Sequence, residues 1–177
     1  MTDRHSLILI AIGPDKVGLV EEISDYIKQY GCNIEDSKMA VMAGEFAYIV
    51  LISGSELNIT AVADNRNTLS SQTGLEVFAR KPLARKSAPP SLPYEFRASC
   101  MDHPGVVHRL STTLSDLGIN IESMETKTYA APDSGTAIFR MEAMLSIPAS
   151  VSINQLRAQL AEIEKQENID IDLIPAH

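Results

Sequence analysis

Residues 15–35 read DKVGLVEEISDYIKQYGCNIE and residues 102–122 read DHPGVVHRLSTTLSDLGINIE, one pattern repeated at a displacement of 87 positions. Asp15, Gly18, Val20, Ser24, Gly31, Asn33 and Glu35 recur as Asp102, Gly105, Val107, Ser111, Gly118, Asn120 and Glu122. A chain that duplicates a small unit and adds little else places its function in that unit. Inside the first copy Val20, Ile23, Ile27 and Tyr30 fall at spacings of three, four and three, which predicts an amphipathic helix. The twin face is Val107, Leu110, Leu114 and Leu117. Gly31 and Gly118 end the two helices as C′ residues, where left-handed backbone favours glycine.

Outward from the repeat, His5 to Ile12 is a β-branched and leucine-rich run bounded by Gly13-Pro14, and it reads as a buried strand. Past each Asn-Ile-Glu come two strand-like segments around a turn. These are Asp36 to Met42 and Glu45 to Ser53 in the first half, Ser123 to Tyr129 and Thr136 to Ser146 in the second. The turn is Ala43-Gly44 in one copy and the longer Ala131 to Gly135 in the other. A second helix follows: Ser152 caps Ile153, Leu156, Leu160 and Ile163, and the first-half equivalent near Asn58 to Ser71 is more polar. Short strands, Leu75 to Arg80 and Asp170 to Ile174, close the halves. The order β-α-β-β-α-β, twice, predicts an α+β protein of two ferredoxin-like units. Each would be a four-stranded antiparallel sheet with its helices on one face. The domains are expected at 5–80 and 94–175, joined by a proline-rich basic linker at 81–93.

Composition narrows the function classes. At 45% hydrophobic and 21% charged the chain has a soluble globular balance, and its longest apolar runs are strand-sized, well short of the ~20 residues of a membrane span. The start lacks a basic region and a cleavable apolar core, so the cytoplasm is the expected location and no membrane contact is expected. Cys32 and Cys100 fall at non-equivalent places in the repeat, which favours reduced thiols over a framework disulfide. A net charge of −8 speaks against direct nucleic-acid binding. Arg80, Lys81, Arg85 and Lys86 form a local exception, read as part of a solvated linker. With 5% aromatics, Phe96 and Tyr129 being isolated, the sheets lack the stacking platform of RNA-binding relatives of this fold. Units this small bury only about 60% of the surface of their unfolded chains, so each is expected to lean on its twin or on another subunit. Edge-to-edge pairing of sheets would cover the exposed strands.

This scaffold hosts many functions, so residues must decide. Gly13, Pro14, Asp15 and Gly18 form the turn from the first strand into the helix, as do Met101, Asp102, His103 and Gly105 in the second copy. A helix N-terminus offers unpaired N–H groups and partial positive charge, which suits a small carboxylate. Asn33 and Asn120 carry amides that both donate and accept, suited to an amino acid bridging two copies of the unit. Plainer readings stand beside these. The glycines fit close helix-to-strand packing, the aspartates fit helix capping and the asparagines fit turn geometry. Cys100, Asp102, His103 and His108 cluster in sequence, but neither metal-ligand spacing nor an oriented base accompanies them, so no metal, cofactor or catalytic residue is expected. Met39, Met42, Met141 and Met144 read as core filler.

These residues resemble the ACT domain, a small regulatory module that binds amino acids. Asp102-His103-Pro104-Gly105 is the familiar form of its loop, and Asp15-Lys16-Val17-Gly18 departs by placing Val17 where proline is usual. The resemblance covers about 5 to 80 and 94 to 175, and a tandem pair of this size is similar to the family of glycine cleavage system transcriptional repressors. It implies sensing of glycine or serine at the ten loop and asparagine positions named above, and control of a transcription regulator through protein contacts. A homodimer is expected. The alternative is a regulatory subunit that docks on a metabolic enzyme.

Overall fold

The structure, a computed structural model, describes residues 4–83 and 90–176, which form two units. The first contains β1 (His5–Pro14), α1 (Leu19–Gln29), β2 (Asn33–Met42), β3 (Glu45–Gly54), α2 (Glu56–Asp64), α3 (Arg66–Thr73) and β4 (Glu76–Arg80). The second contains β5 (Ser91–Met101), α4 (Val106–Asp116), β6 (Asn120–Ala130), β7 (Ala137–Pro148), α5 (Ile153–Glu167) and β8 (Asp170–Pro175). Strand orders are β2-β3-β1-β4 and β6-β7-β5-β8, with every neighbouring pair antiparallel. Both units are ferredoxin-like. Strand β5 starts at Ser91, so the last three residues of the expected linker are already paired with β7. Of the basic cluster, Arg85 and Lys86 lie outside the described residues, and Lys81 stands 3.9 Å from Glu56.

Each sheet alternates, one face carrying the core. Leu7, Leu9 and Ala11 of β1 join Phe46, Tyr48, Val50 and Ile52 of β3 against Ile23 and Ile27 of α1. In the second unit Phe96 and Ala98 of β5 and Met141, Ala143 and Leu145 of β7 meet Leu110 and Leu114 of α4. Burying one such side chain contributes roughly 1.5–3 kcal/mol. Helix α1 is held further by Tyr26, whose hydroxyl donates to the Val62 carbonyl at 2.9 Å. Burial pushes that phenol well above its ordinary pKa.

Three local expectations need correction. The buried stripe of α1 is Leu19, Ile23, Tyr26 and Ile27, centred one residue earlier than the sequence spacing suggested; Val20 is exposed. The polar helix of the first half is two short helices broken at Asn65, whose side-chain amide donates to the Ala61 carbonyl while Arg66 donates to Ala63. Such side chains offer the backbone an alternative to continuing the helix. Of the four methionines Met141 is core, whereas Met39 and Met42 are exposed on the edge strand β2, which has a neighbour, β3, on one side only.

The β2–β3 turn places Ala43 at φ 51 and Gly44 at φ 84, two left-handed residues in succession. This matches the primed hairpin turn, for which Asn-Gly is the favoured pair, and alanine is strained there. Ala43→Asn is expected to stabilise the protein by about 0.5–1 kcal/mol, read as a higher urea midpoint with unchanged slope.

Candidate ligand site

The duplicated loops take one conformation. Asp15 N–H donates to the Gly44 carbonyl at 2.9 Å and Asp102 N–H to the Ala137 carbonyl at 2.8 Å, which ties each loop to the adjoining hairpin. Gly18 (φ 98, ψ −8) and Gly105 (φ 99, ψ −7) are the helix N-caps, in a region that costs an L-residue roughly 1–2 kcal/mol. A Cβ on Gly18 would meet only Glu22 Oε1, at 3.8 Å, and one on Gly105 nothing within 4 Å. Backbone conformation, not close packing, therefore requires glycine. No side chain caps α1 or α4, so Asp15 and Asp102 are not capping residues. The second helices differ: Ser55 accepts from Asn58 N–H and Ser152 from Gln155 N–H. Among the described residues, α1 and α4 combine a glycine N-cap without a side-chain cap and a loop aspartate; α3, behind Asp64 and Asn65, also lacks a side-chain cap but continues directly from α2.

The two loops are not electrostatically equal. Glu21 and Glu22 sit in the first turn of α1, and Glu22 lies 3.4 Å from Lys16. The first turn of α4 has no acidic residue. Acidic side chains offset the positive end of a helix, so α4 attracts an anion more strongly than α1 does. Beside it an open depression of about 550 Å³ is lined by Asp102, His103, Gly105, Val106, Val107, His108, Thr128 and Phe139. His103 Nδ1 lies 3.3 Å from the Pro104 carbonyl, and Met101 is exposed at the loop's start. In the first unit Gly13 and Pro14 end β1, leading directly into Asp15.

Asn33 and Asn120 begin β2 and β6. Their amides donate to Glu35 Oε1 at 3.2 Å and to Glu122 Oε1 at 2.9 Å. Both glutamates are the extra residue of a strand irregularity, lying between Ile34 and Asp36 and between Ile121 and Ser123. A bulge re-aims a side chain in this way. Glu35 also accepts from Ser53, in a short contact, and from Arg4 at 2.5 Å. Hydrogen bonds from Ser53, then Asn33, and then the Arg4 charge hold its carboxyl below the usual range. The glutamates orient the asparagine amides, a role the site prediction missed although their recurrence in the repeat was its signal. An open depression of about 570 Å³ adjoins Asn33, bordered by Arg4, Ser53 and Ser55.

Within one unit the loop and the asparagine do not meet. Asn33 aligns with Ser53 and so with Ser6, whereas the loop leaves β1 past Pro14, eight residues further. At about 3.3 Å per residue they stand roughly 26 Å apart. Cys100, for its part, is buried in the second core, and its thiol pKa is raised by burial and by Asp102 and Glu167. A protonated, enclosed thiol is a poor nucleophile.

ACT-domain profiles match residues 5–80 and 94–142. The chain belongs to the ACT-domain family. Each ACT unit supplies one of the loops just described. The glycine cleavage system transcriptional repressor of Escherichia coli K12 is 25% identical over 175 residues, 97% of this chain and 92% of that protein, and the repressor of Shigella flexneri matches equally. Among solved structures, an unknown protein from Galdieria sulphuraria aligns with TM-score 0.83 and 28% identity over 99% of this chain and 100% of its own. A putative glycine cleavage system transcriptional repressor aligns with TM-score 0.73 and 23% identity over 98% of this chain and 99% of that one, which supports the tandem ACT fold. The chain is an ACT-domain regulatory protein related to this repressor.

Proposed function

We propose that this protein senses a small amino acid, glycine or serine, and passes the signal to a transcription regulator by protein contact, without catalysis of its own. The observation that carries the reading is the uncapped N-terminus of α4, whose first turn holds no acidic side chain and which borders a depression that Asp102 also lines. The helix end suits the ligand's carboxylate and the aspartate its ammonium group. A binding group for each end of a zwitterion is thereby present. Glycine is favoured because the related repressors take their name from the glycine cleavage system, and serine is the other small amino acid in this reading.

An asparagine some 26 Å along the sheet can reach the same ligand only from another copy of the fold. That separation supports a site completed by a second chain, through a contact between a loop of one and an asparagine of the other, and ligand binding alters the affinity for the regulator by about 1–3 kcal/mol of coupling. Isothermal calorimetry against glycine and serine is the direct test. Failure of both to bind below millimolar concentration rejects the reading. Asn120→Ala is expected to weaken binding about tenfold, the worth of one good hydrogen bond. Its stability should change by less than about 0.5 kcal/mol, since Asn120 is exposed.

A further inference from the structure

The two sheets present opposite chemistry on the face away from their helices. Directly paired residues of an antiparallel sheet share a face. The pairing of the first sheet therefore sets out three rows there, Asp36-Leu51-Ile8-Arg80, Lys38-Ile49-Ile10-Phe78 and Ala40-Ala47-Ile12-Glu76, each crossing β2, β3, β1 and β4 in turn. The central strands contribute only apolar side chains, and Ile12, Ile49 and Phe78 are about half exposed, at 43%, 50% and 52%. The middle row of the second sheet is instead Glu125-Glu142-Arg97-Asp172. Arg97 pairs with Glu95 at 2.9 Å and Arg140 with Glu142 at 2.6 Å, the dressing of a solvated surface. One chain thus uses the same fold with a charged open face and with an apolar one. A contiguous exposed apolar patch of this kind marks an interaction site.

We propose that this face of the first unit is the interface with a second copy of the chain, the two sheets packed face to face about a two-fold axis parallel to the strands. That operation sets β2 over β4 and β3 over β1 of the other copy while keeping each row in register. Asp36 at one end of the first row then lies over Arg80 of the other copy, and Lys38 over the Phe78 ring. Leu51 meets Ile8, Ile49 meets Ile10, and bulky Ile12 meets small Ala47. The charges of the three rows cancel, two acidic against two basic, so the face does not share the repulsion expected from the chain's net −8. Four strands at about 4.8 Å and three rows at about 6.6 Å give roughly 400 Å² of flat sheet per copy, about half the area per partner of a standard stable interface, so the dimer is a weak, reversible one with an affinity set in the micromolar range.

Sedimentation velocity on the full chain from about 5 to about 500 µM, a range around that affinity, tests this. Wild type is expected to pass from monomer to dimer, and Ile49→Glu or Ile10→Arg to weaken association at least tenfold. Both variants copy charges that the second sheet carries at the same positions, Glu142 and Arg97, so thermal melting should confirm that they fold. Asp36→Arg and Arg80→Asp should each weaken the dimer several-fold, and the double variant should recover it. A wild-type monomer throughout, unchanged association of Ile49→Glu, or failure of the double variant to recover overturns the proposal. So does a monomeric chain that uses this face, as judged by Ile49→Glu, to bind a transcription regulator. The variants at Ile10, Asp36, Ile49 and Arg80 leave the helix-capping loops and both asparagines unchanged, so loss of ligand binding with this self-association intact would count against amino-acid sensing alone.

Discussion

Phe96→Ala is expected to destabilise the second unit by about 3–5 kcal/mol, a large share of the 5–15 kcal/mol that holds a typical domain. Phe96 is fully buried on β5, the strand paired on both sides by β7 and β8, and its ring is packed among the side chains of α4 and α5. Neither sheet nor helices can collapse into the space without breaking the ladder, so most of the cavity persists. A unit of this size loses about 4–8 °C of melting temperature per kcal/mol, so its transition should fall by well over 10 °C. The first unit has a separate core, from Leu7 to Val77, and its own transition should stay in place. Circular dichroism against temperature and urea reads both; a fall of less than about 1 kcal/mol would show that Phe96 does not anchor this core.

His108→Glu should have the opposite signs for stability and binding. His108 is the counterpart of Glu21, so the substitution gives α4 the acidic first turn that α1 already has. An acidic side chain there favours the helix dipole and should stabilise the protein by about 0.3–1 kcal/mol. The same charge beside a carboxylate bound at that helix end should cost about 1–2 kcal/mol of ligand affinity, about a tenfold loss. Stability up and glycine or serine affinity down, by melting and calorimetry on one sample, is the expected pair of results. Unchanged affinity would mean that the α4 N-terminus does not hold the ligand's carboxylate.

Much of this was legible before any coordinates. The recurrence of Gly31 and Gly118, confirmed at φ 65 and 69, set the helix ends. The unbroken apolar run of β1 read as a buried strand but did not show which of its faces holds the core, because Ile8, Ile10 and Ile12 are as apolar as Leu7, Leu9 and Ala11. Less legible was the rotation of α1 toward Leu19. Val20 and Leu19 are both apolar, and only packing against the sheet chose between them. The polar helix of the first half could not show its break at Asn65, because competition for backbone carbonyls depends on where the side chains lie once folded. The loop glycines were visible as candidates, yet their reason, a left-handed N-cap with open space around it, required the backbone angle.

The sequence by itself determined the duplicated α+β architecture and which residues recur, since these depend on local periodicity and turn chemistry that neighbours along the chain carry. Tertiary structure alone decided that loop and asparagine lie at opposite ends of a sheet, that paired glutamates orient the asparagines, and that one open sheet face is apolar while the other is charged. Those properties arise from strand register, which brings together residues far apart in sequence and fixes the face to which each one points.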